Sequence, residues 1–236
     1  MAQKEYIEQY LENPKHIEVQ IVPNNSDVIQ LGERECSIQR RHQKLIEETP
    51  FPALKDELRE DILCKAVSIM KEIGYDNAGT VEFLLKGSKY FFMEINARIQ
   101  VEHPVPELVT GVDIVEQQLR VALGQGLSIR RDTISSKGHA IECRINAEHP
   151  LSFAPVSGKI NKFVAPSGEG IGLDSALYSG YSIPQFYDSL IAKLICHGSD
   201  RKKAIERMNS ALSTLRISGI PTSIPLALLD WLWSAH

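Results

Sequence analysis

Carboxylates inside two apolar, strand-like runs constrain the fold of this chain more than any other feature. The runs, at 80–85 and 90–95, are joined by the turn sequence at 86–89 and predict a β-hairpin. Glu82 interrupts the first run and Glu94 interrupts the second. A carboxylate within an apolar strand is costly unless it is paired or bound to a cation. The hairpin therefore predicts either a functional site or a polar stripe that faces solvent.

The spacing of these groups decides which way they face. Glu94 and Asn96 are two residues apart, so they share one face of a strand. A loop of odd length centred on Ser88 would place Glu82 directly opposite Glu94, whereas an even loop would turn the carboxylates to opposite faces. Two carboxylates and an amide oxygen are a hard oxygen set that suits Mg²⁺ or Mn²⁺. Spacing alone leaves the metal site and the solvent-facing stripe equally open.

Two further groups are candidates for binding an anion. Arg98 extends the face of Glu94 and Asn96, and its guanidinium suits a planar anion such as carboxylate or bicarbonate. Glu102 near such a site could act as a general base. The alternative for an isolated pair of this kind is a surface salt bridge.

A basic cluster occupies residues 39–44, which include Arg40, Arg41, His42 and Lys44. This density of charge indicates an anion or phosphate site, and the alternative is a solvated basic face. Elsewhere, a lone histidine such as His16 is more often structural, and a lone arginine in an alternating strand is more often a surface charge.

Apolar periodicity and turn residues predict the remaining elements. Ser199 or Asp200 is expected to cap the third of the predicted helices. We predict a hairpin from strands 17–22 and 28–31, helices over 52–73 (ending at Gly74), 113–123, 200–215 and 223–233, strands over 139–147 and 189–196, and a boundary near 135–138.

Composition excludes several classes of protein. The 236 residues carry a net charge of −4, which does not favour non-specific nucleic-acid binding. No apolar run reaches the roughly 18 residues that a membrane helix needs. The four cysteines form no Cys-x-x-Cys pair, which predicts neither a zinc knuckle nor a disulfide framework and favours a reducing compartment.

Six segments taken in order resemble biotin carboxylase, an ATP-grasp ligase. The resemblance extends from about residue 6 to 222, and the order of the segments makes it far more specific than any single motif. The segments are 16–20, 33–44, 79–84, 93–104, 138–148 and 187–195.

The resemblance implies an α+β fold in two parts. Residues 1–135 would be the C-terminal half of an ATP-grasp domain, an antiparallel sheet with helices. Residues 136–236 would be a biotin carboxylase C-terminal domain, β-rich and truncated at its end. The family's N-terminal Rossmann-like domain and Gly-rich lid are expected to be absent, so that the chain alone is weakly active or inactive.

The resemblance also implies a reaction and its cofactors. MgATP would activate bicarbonate as carboxyphosphate, and the carboxyl group would pass to biotin on a carrier protein. Mn²⁺ is the alternative metal. The implied metal set is Glu82, Glu94 and Asn96. The implied ATP-binding residues are Glu8, Gln9, Tyr10 and Leu11 at the adenine hinge, His16 and Gln39 by the ribose, His42 by the phosphates, and Leu84.

The remaining implied roles belong to groups that act on bicarbonate and biotin. Lys44, Arg98 and the backbone of Val101 would hold bicarbonate. Glu102 would deprotonate it, and Arg144 would stabilise the biotin anion.

The implied partners are a biotin carboxyl carrier protein or domain, a carboxyltransferase, and a second copy in a homodimer, with no nucleic acid and no membrane. The expected location is the cytoplasm, with the plastid or mitochondrial matrix as alternatives in a eukaryote. Acetyl-CoA, acyl-CoA and pyruvate carboxylases fit these motifs equally. A non-catalytic assembly or carrier-docking module is the rival interpretation.

Overall fold

The computed structural model describes residues 7–24 and 27–224. Within them the chain forms twelve strands, four α-helices and a short 3₁₀ helix at Arg131–Thr133. The strands are β1 (Lys15–Asn24), β2 (Asp27–Arg40), β3 (Gln43–Thr49), β4 (Gly79–Lys86), β5 (Lys89–Asn96), β6 (His139–Asn146), β7 (Gly158–Lys159), β8 (Lys162–Val164), β9 (Ile171–Ser175), β10 (Ser182–Ile183), β11 (Leu190–Gly198) and β12 (Arg216–Ser218), and the helices are α1 (Asp56–Ile73), α2 (Pro104–Thr110), α3 (Ile114–Ala122) and α4 (Arg201–Thr214).

One eight-stranded sheet organises the fold, in the order β5-β4-β1-β2-β3-β6-β11-β9. Each pair of neighbours in this sheet is antiparallel. This confirms the predicted α+β architecture. The pairing of β3 with β6 carries the sheet from the part before residue 135 into the part after it.

The alternation of residues in the strands separates an apolar face from a polar one. In β1, Ile17, Val19 and Ile21 are fully buried in a core that also contains α1 residues such as Ile62 and Met70. The intervening residues, of which Glu18 is one, point to the other face. The polar residues of β1 therefore lie on the face of the sheet away from α1.

The same arrangement recurs at the other end of the sheet. Ile141 and Ile145 of β6 pack with Ala204 and Met208 of α4. The even-numbered residues of β6, which include Arg144, again point away from that helix. The helix α2 covers part of this opposite face, where Val105 and Val109 pack with residues of β6 and β11.

The helix ends confirm most of the predicted boundaries. Gly74 ends α1 with a left-handed φ of 69°. Asp113 caps α3, and Asp200, rather than Ser199, caps α4 by accepting the Lys203 N–H at 2.9 Å. The predicted start of the first helix at residue 52 is wrong, because the backbone is still extended at Lys55 and the helix begins one residue later.

The structure also contains elements that apolar periodicity missed. The helix α2 and the strand β3 were not predicted, and β2 continues nine residues beyond the predicted end at Leu31. Most of the predicted helix 223–233 lies outside the described residues. Among the helices that are described, none has the length and apolar character needed to cross a membrane.

Candidate active site

The hairpin of β4 and β5 places Glu82 directly opposite Glu94. The spacing of the two residues in the sequence did not determine this pairing. Lys86 pairs with Lys89, so the turn between them has two residues, an even number that on its own would separate the carboxylates. A register shift next to Glu82 leaves Met93 as an extra residue in β5, a β-bulge that brings the carboxylates back into opposition.

The three predicted metal ligands are in direct contact. The Asn96 Nδ2 donates to Glu82 Oε1 at 2.6 Å and to Glu94 Oε1 at 3.0 Å. The Asn96 Oδ1 accepts from Arg98 Nη2 at 3.1 Å. The two carboxylates thus converge on one polar atom, and rotating the amide would exchange its nitrogen for an oxygen. The donor set fits a hard divalent cation such as Mg²⁺.

Glu82 is held from its other side by two further groups. His16 Nε2 lies 2.6 Å from Glu82 Oε2, and Gln100 Nε2 donates to Glu82 Oε1 at 2.8 Å. Burial raises the pKa of Glu82, but the hydrogen bond from His16 and the charge of Lys44 outweigh it and lower the pKa overall. Glu82 is therefore ionised and fixed in position, as a metal ligand should be.

Lys44 joins the metal set to the predicted base. Its Nζ lies 3.8 Å from Glu82 Oε1, donates to Glu102 Oε1 at 2.6 Å, and also donates to Glu18. Burial lowers the pKa of Lys44, yet the carboxylates around it raise the pKa above its usual value. Lys44 therefore stays cationic among these acids.

Glu102 lies between two cations. Its Oε1 accepts from Lys44, and its Oε2 accepts from Arg144 Nη2 at 2.7 Å. Burial alone would raise the pKa of Glu102, but the charges of Arg34, Lys44 and Arg144 outweigh burial and hold that pKa well below its usual range. A carboxylate held this way is a weak base until one of its cations is drawn elsewhere.

Arg144 reaches the same cluster from β6. Its Nε donates to Glu47 Oε1 at 2.7 Å while its Nη2 holds Glu102. These bonds connect β3, β6 and the segment that follows β5. Arg144 is thus part of the polar cluster and not an isolated surface charge.

Part of this cluster opens onto a cleft of about 570 Å³, whose lining residues do not include the metal set Glu82, Glu94 and Asn96. Six of the predicted site residues line it, together with other polar and apolar groups. The six are His42, Lys44, Arg98, Val101, Glu102 and Arg144.

The basic cluster lies at the tip of the β2–β3 hairpin. Arg41 and His42 form its two-residue turn, with left-handed φ angles of 49° and 63°. A type I′ turn requires such angles at both positions. Arg40 is turned away to pair with Glu148 and to stack on Phe153, with 4.2 Å between the guanidinium carbon and the ring centroid. Only part of the cluster therefore remains available to an anion.

The predicted ribose residues meet beside the metal set. Gln39 Nε2 lies 2.9 Å from His16 Nδ1, and Leu84 of β4 is the cross-strand partner of His16. The predicted adenine hinge, 8–11, lies just before β1 as non-regular chain, with Glu8, Gln9 and Tyr10 exposed.

Sequence reasoning gave no role to four residues that hold this site together. Glu18, Arg34, Glu47 and Gln100 are buried and bonded to predicted site residues or to one another. The alternation of β1 was a usable signal, since it puts Glu18 on the same face as His16. The other three depend on strand order, which spacing does not reveal.

Comparison with known proteins identifies two matched regions in this chain. Residues 1–130 match the family described as carbamoyl-phosphate synthase L chain, ATP binding domain, and residues 142–230 match the biotin carboxylase C-terminal domain.

The biotin carboxylase of Pseudomonas aeruginosa is 50% identical over 222 residues, which cover 94% of this chain and 49% of that protein. One pyruvate carboxylase subunit, from Methanothermobacter thermautotrophicus, is 55% identical over 93% of this chain and 45% of its own length. The chain thus spans about half the length of these curated relatives.

Solved structures show the same relationship. A biotin carboxylase–β,γ-ATP complex from Campylobacter jejuni has a TM-score of 0.91 and 46% identity, over 94% of this chain and 51% of that one. The biotin carboxylase domain dimer of Hydrogenobacter thermophilus 2-oxoglutarate carboxylase, in complex with MgADP, ADP and bicarbonate, has a TM-score of 0.90 and 49% identity, over 94% and 50% of the two chains. These matches confirm the fold that the sequence resemblance implied.

Proposed function

The chain belongs to the biotin carboxylase family, and we propose that it supplies the metal-, bicarbonate- and biotin-facing groups of an ATP-dependent ligase. In this reaction ATP activates bicarbonate as carboxyphosphate, and the carboxyl group passes to biotin on a carrier protein. Residues 1–135 would form the latter part of the ATP-grasp domain and 136–236 the C-terminal domain.

The observation that carries the proposal is the position of Lys44. One ammonium group reaches both Glu82 of the candidate metal set and Glu102 of the candidate base. Phosphoryl transfer depends mainly on positioning the reactants and neutralising charge, and a cation between these two carboxylates serves both needs.

Bicarbonate would bind in the cleft against Lys44, Arg98 and the backbone of Val101. Arg98 already donates to Asn96, so it stands beside the candidate metal set. A planar guanidinium matches the planar anion and can orient one of its oxygens toward the phosphate.

Glu102 would accept the bicarbonate proton. The O–H bond of bicarbonate breaks, its proton moves to a Glu102 carboxylate oxygen, and the freed oxygen attacks the γ-phosphorus as ADP leaves. An incoming anion competes with Glu102 for Lys44, which weakens the ion pair and raises the basicity of Glu102 at that moment.

Glu82, Glu94 and Asn96 would hold Mg²⁺, or Mn²⁺ as the alternative. When bound, the ion neutralises charge on the ATP phosphates. His42 at the rim of the cleft would contact the phosphates, and His16, Gln39, Leu84 and the 8–11 segment would contact the nucleoside.

Arg144 would stabilise the biotin anion before carboxylation. The proposed partners are a biotin carboxyl carrier protein or domain, a carboxyltransferase and a second copy of the chain. The relatives include a 2-oxoglutarate carboxylase domain and one pyruvate carboxylase subunit, which supports such partners as a class, and the acyl acceptor is left unassigned.

The test uses this chain mixed with the portion of the Pseudomonas aeruginosa relative that it does not cover. We expect ATP cleavage that requires bicarbonate and is lost in Arg98→Ala, while Arg59→Lys, on the α1 side of the sheet, keeps it. Calorimetry measures MgADP binding by this chain with and without the added half. Binding in at least one condition indicates a split enzyme, and binding in neither indicates a carrier-docking module. Binding in neither condition, or ATP cleavage that ignores bicarbonate, overturns the proposal.

A further inference from the structure

Arg34 is buried beneath the active-site face without lining the cleft. It lies on β2 directly opposite Glu18 of β1, and its side chain is 1% exposed. Its guanidinium donates to Glu18 Oε2 at 2.8 Å, Gln20 Oε1 at 2.8 Å, Thr80 Oγ1 at 3.1 Å and Gln100 Oε1 at 2.7 Å. Four bonds from one planar fork fix the positions of four side chains at once.

One branch of this network ends at Glu82. The amide oxygen of Gln100 is held by Arg34, so the amide nitrogen of Gln100 faces the other way and donates to Glu82 Oε1 at 2.8 Å. Without Arg34 the amide could present its oxygen to Glu82 instead, which would place two acceptors together. Arg34 thus selects the orientation in which Gln100 supports the carboxylate.

The second branch ends at Lys44. Arg34 holds one oxygen of Glu18, and the other oxygen of Glu18 accepts from Lys44. Lys44 then reaches Glu102. The position of the lysine between its carboxylates therefore depends on a buried pair in which Arg34 is the anchor.

We propose that Arg34 is a positioning residue for the active site, acting on the metal carboxylate Glu82 through Gln100 and on Lys44 through Glu18. The inference rests on the proposed metal site at Glu82, Glu94 and Asn96. Replacing a group that hydrogen-bonds to a metal ligand and orients it commonly lowers metal affinity by about 10- to 100-fold.

Arg59 offers a matched control. It is less buried than Arg34, but it too donates to a buried carboxylate, Glu33, at 2.9 Å, and to the Phe51 carbonyl at 2.9 Å. It lies on α1, across the sheet from the cleft. A lysine at either position keeps the charge and loses the fork, so a general loss of structure would affect both variants.

The experiment measures Mn²⁺ affinity of the chain by electron paramagnetic resonance, with the metal alone as the probe, and thermal unfolding in parallel. We expect Arg34→Lys to weaken Mn²⁺ binding about tenfold, and Arg59→Lys to leave it unchanged. Gln100→Leu should weaken binding by a similar factor. In the double variant Arg34→Lys/Gln100→Leu the combined loss should fall short of the product of the two single losses, because the effect of Arg34 that passes through Gln100 is already absent there.

The outcomes separate this inference from the proposed function. If the wild-type chain binds no Mn²⁺, or Glu82→Gln binds it as tightly as wild type, the metal site and this inference fall together. If Glu82→Gln abolishes binding while Arg34→Lys or Gln100→Leu does not weaken it, only the role of Arg34 is overturned. Losses that multiply in the double variant also overturn it, and if Arg34→Lys does not fold, Gln100→Leu decides alone.

Discussion

Glu47 of β3 and Glu142 of β6 lie directly opposite each other, and both are completely buried. Arg144 holds one oxygen of Glu47, while Glu47 Oε2 and both oxygens of Glu142 have no hydrogen-bond partner among the described residues. Two facing carboxyl groups that are both buried cannot both ionise at small cost. The pair therefore binds a proton that either residue would release in the unfolded chain.

The first prediction concerns stability against pH. Burial raises the pKa of Glu47 to about 7 and also raises that of Glu142, where the charges of Glu47 and Glu102 add to burial and those of Lys193 and Arg144 oppose it. A carboxyl raised in the folded state stabilises the protein below its unfolded pKa, and this contribution is lost as pH rises from about 4.5 to 7. Glu142→Gln removes one of the two facing carboxyl groups. The free energy of unfolding of this variant should therefore exceed that of wild type by roughly 1–3 kcal/mol at pH 7 and match it near pH 4.

Urea unfolding across this pH range measures the effect, and the neighbouring residue gives a control of opposite sign. Burial raises the pKa of Glu48, but hydrogen bonds from His139 and Arg201 lower it overall. Its contribution is present at neutral pH and lost as pH falls, so Glu48→Gln should be less stable than wild type at pH 7, with the difference shrinking in acid. A difference between Glu142→Gln and wild type that does not depend on pH would contradict the shared proton.

The second prediction concerns the ion pair at the centre of the cleft. Arg144→Met removes one of the cations that hold the pKa of Glu102 low, so this pKa should rise by about 1–3 units. Carbon-13 NMR of labelled glutamate carboxyl groups measures it. Arg144→Lys keeps the charge and should give a smaller rise. Equal titration of Glu102 in wild type and Arg144→Met would show that the pair does not govern this carboxylate.

The third prediction concerns the segment that follows β5. Lys193 of β11 donates to the Val101 carbonyl at 3.1 Å and pairs with Asp174 at 3.1 Å. Lys193→Met should remove one backbone anchor of that segment, and amide hydrogen exchange at 99–103 should quicken roughly ten- to a hundredfold, as expected for the loss of one charged hydrogen bond.

Asp174→Asn provides the comparison for this experiment. The side chain of Asp174 is 59% exposed, so its salt bridge contributes little. We expect this variant to retain wild-type exchange at 99–103. Unchanged exchange in Lys193→Met would mean that the segment is held by its other contacts.

The fourth prediction concerns the start of α4. Asp200→Ala removes the side chain that accepts the Lys203 N–H and should lower the free energy of unfolding by about 1 kcal/mol. Ser199→Ala should lower the free energy of unfolding by only about 0.3 kcal/mol, because Ser199 donates to the Asp200 carboxylate and not to the helix backbone. Thermal or urea unfolding distinguishes the two, and equal losses would refute the assignment of Asp200 as the cap.

Local pattern was sufficient for much of the fold and of the candidate site. Spacing and turn residues that act within about fifteen positions were enough for the hairpin of β4 and β5, the C-terminal end of α1, the ends of α3, and the shared face of Glu94 and Asn96. The position of Glu82 directly opposite Glu94 could not be predicted from these local signals. It depends on the bulge at Met93, and nothing in the alternation of β5 distinguishes a bulged strand from a regular one.

The missed strand and the missed partners have one physical cause. The end of β2 and all of β3 are rich in charged residues, so apolar periodicity stops there. The carboxylates of β3 are nevertheless buried, because each finds its counterion far away in sequence. Glu47 meets Arg144, and Glu48 meets His139 and Arg201, only once β3 and β6 are neighbours.

The β3–β6 pairing also limits how this chain can be recombined with its relatives. A chimaera that took residues after 135 from another protein would cut no helix and no strand, yet it would replace one side of a ladder whose charges are matched across it. The exchanged piece would have to bring an acceptable partner for Glu47, for Glu48 and for Glu102 together. Whether the charges match across the β3–β6 pairing, more than whether each piece is intact, should decide which chimaeras fold.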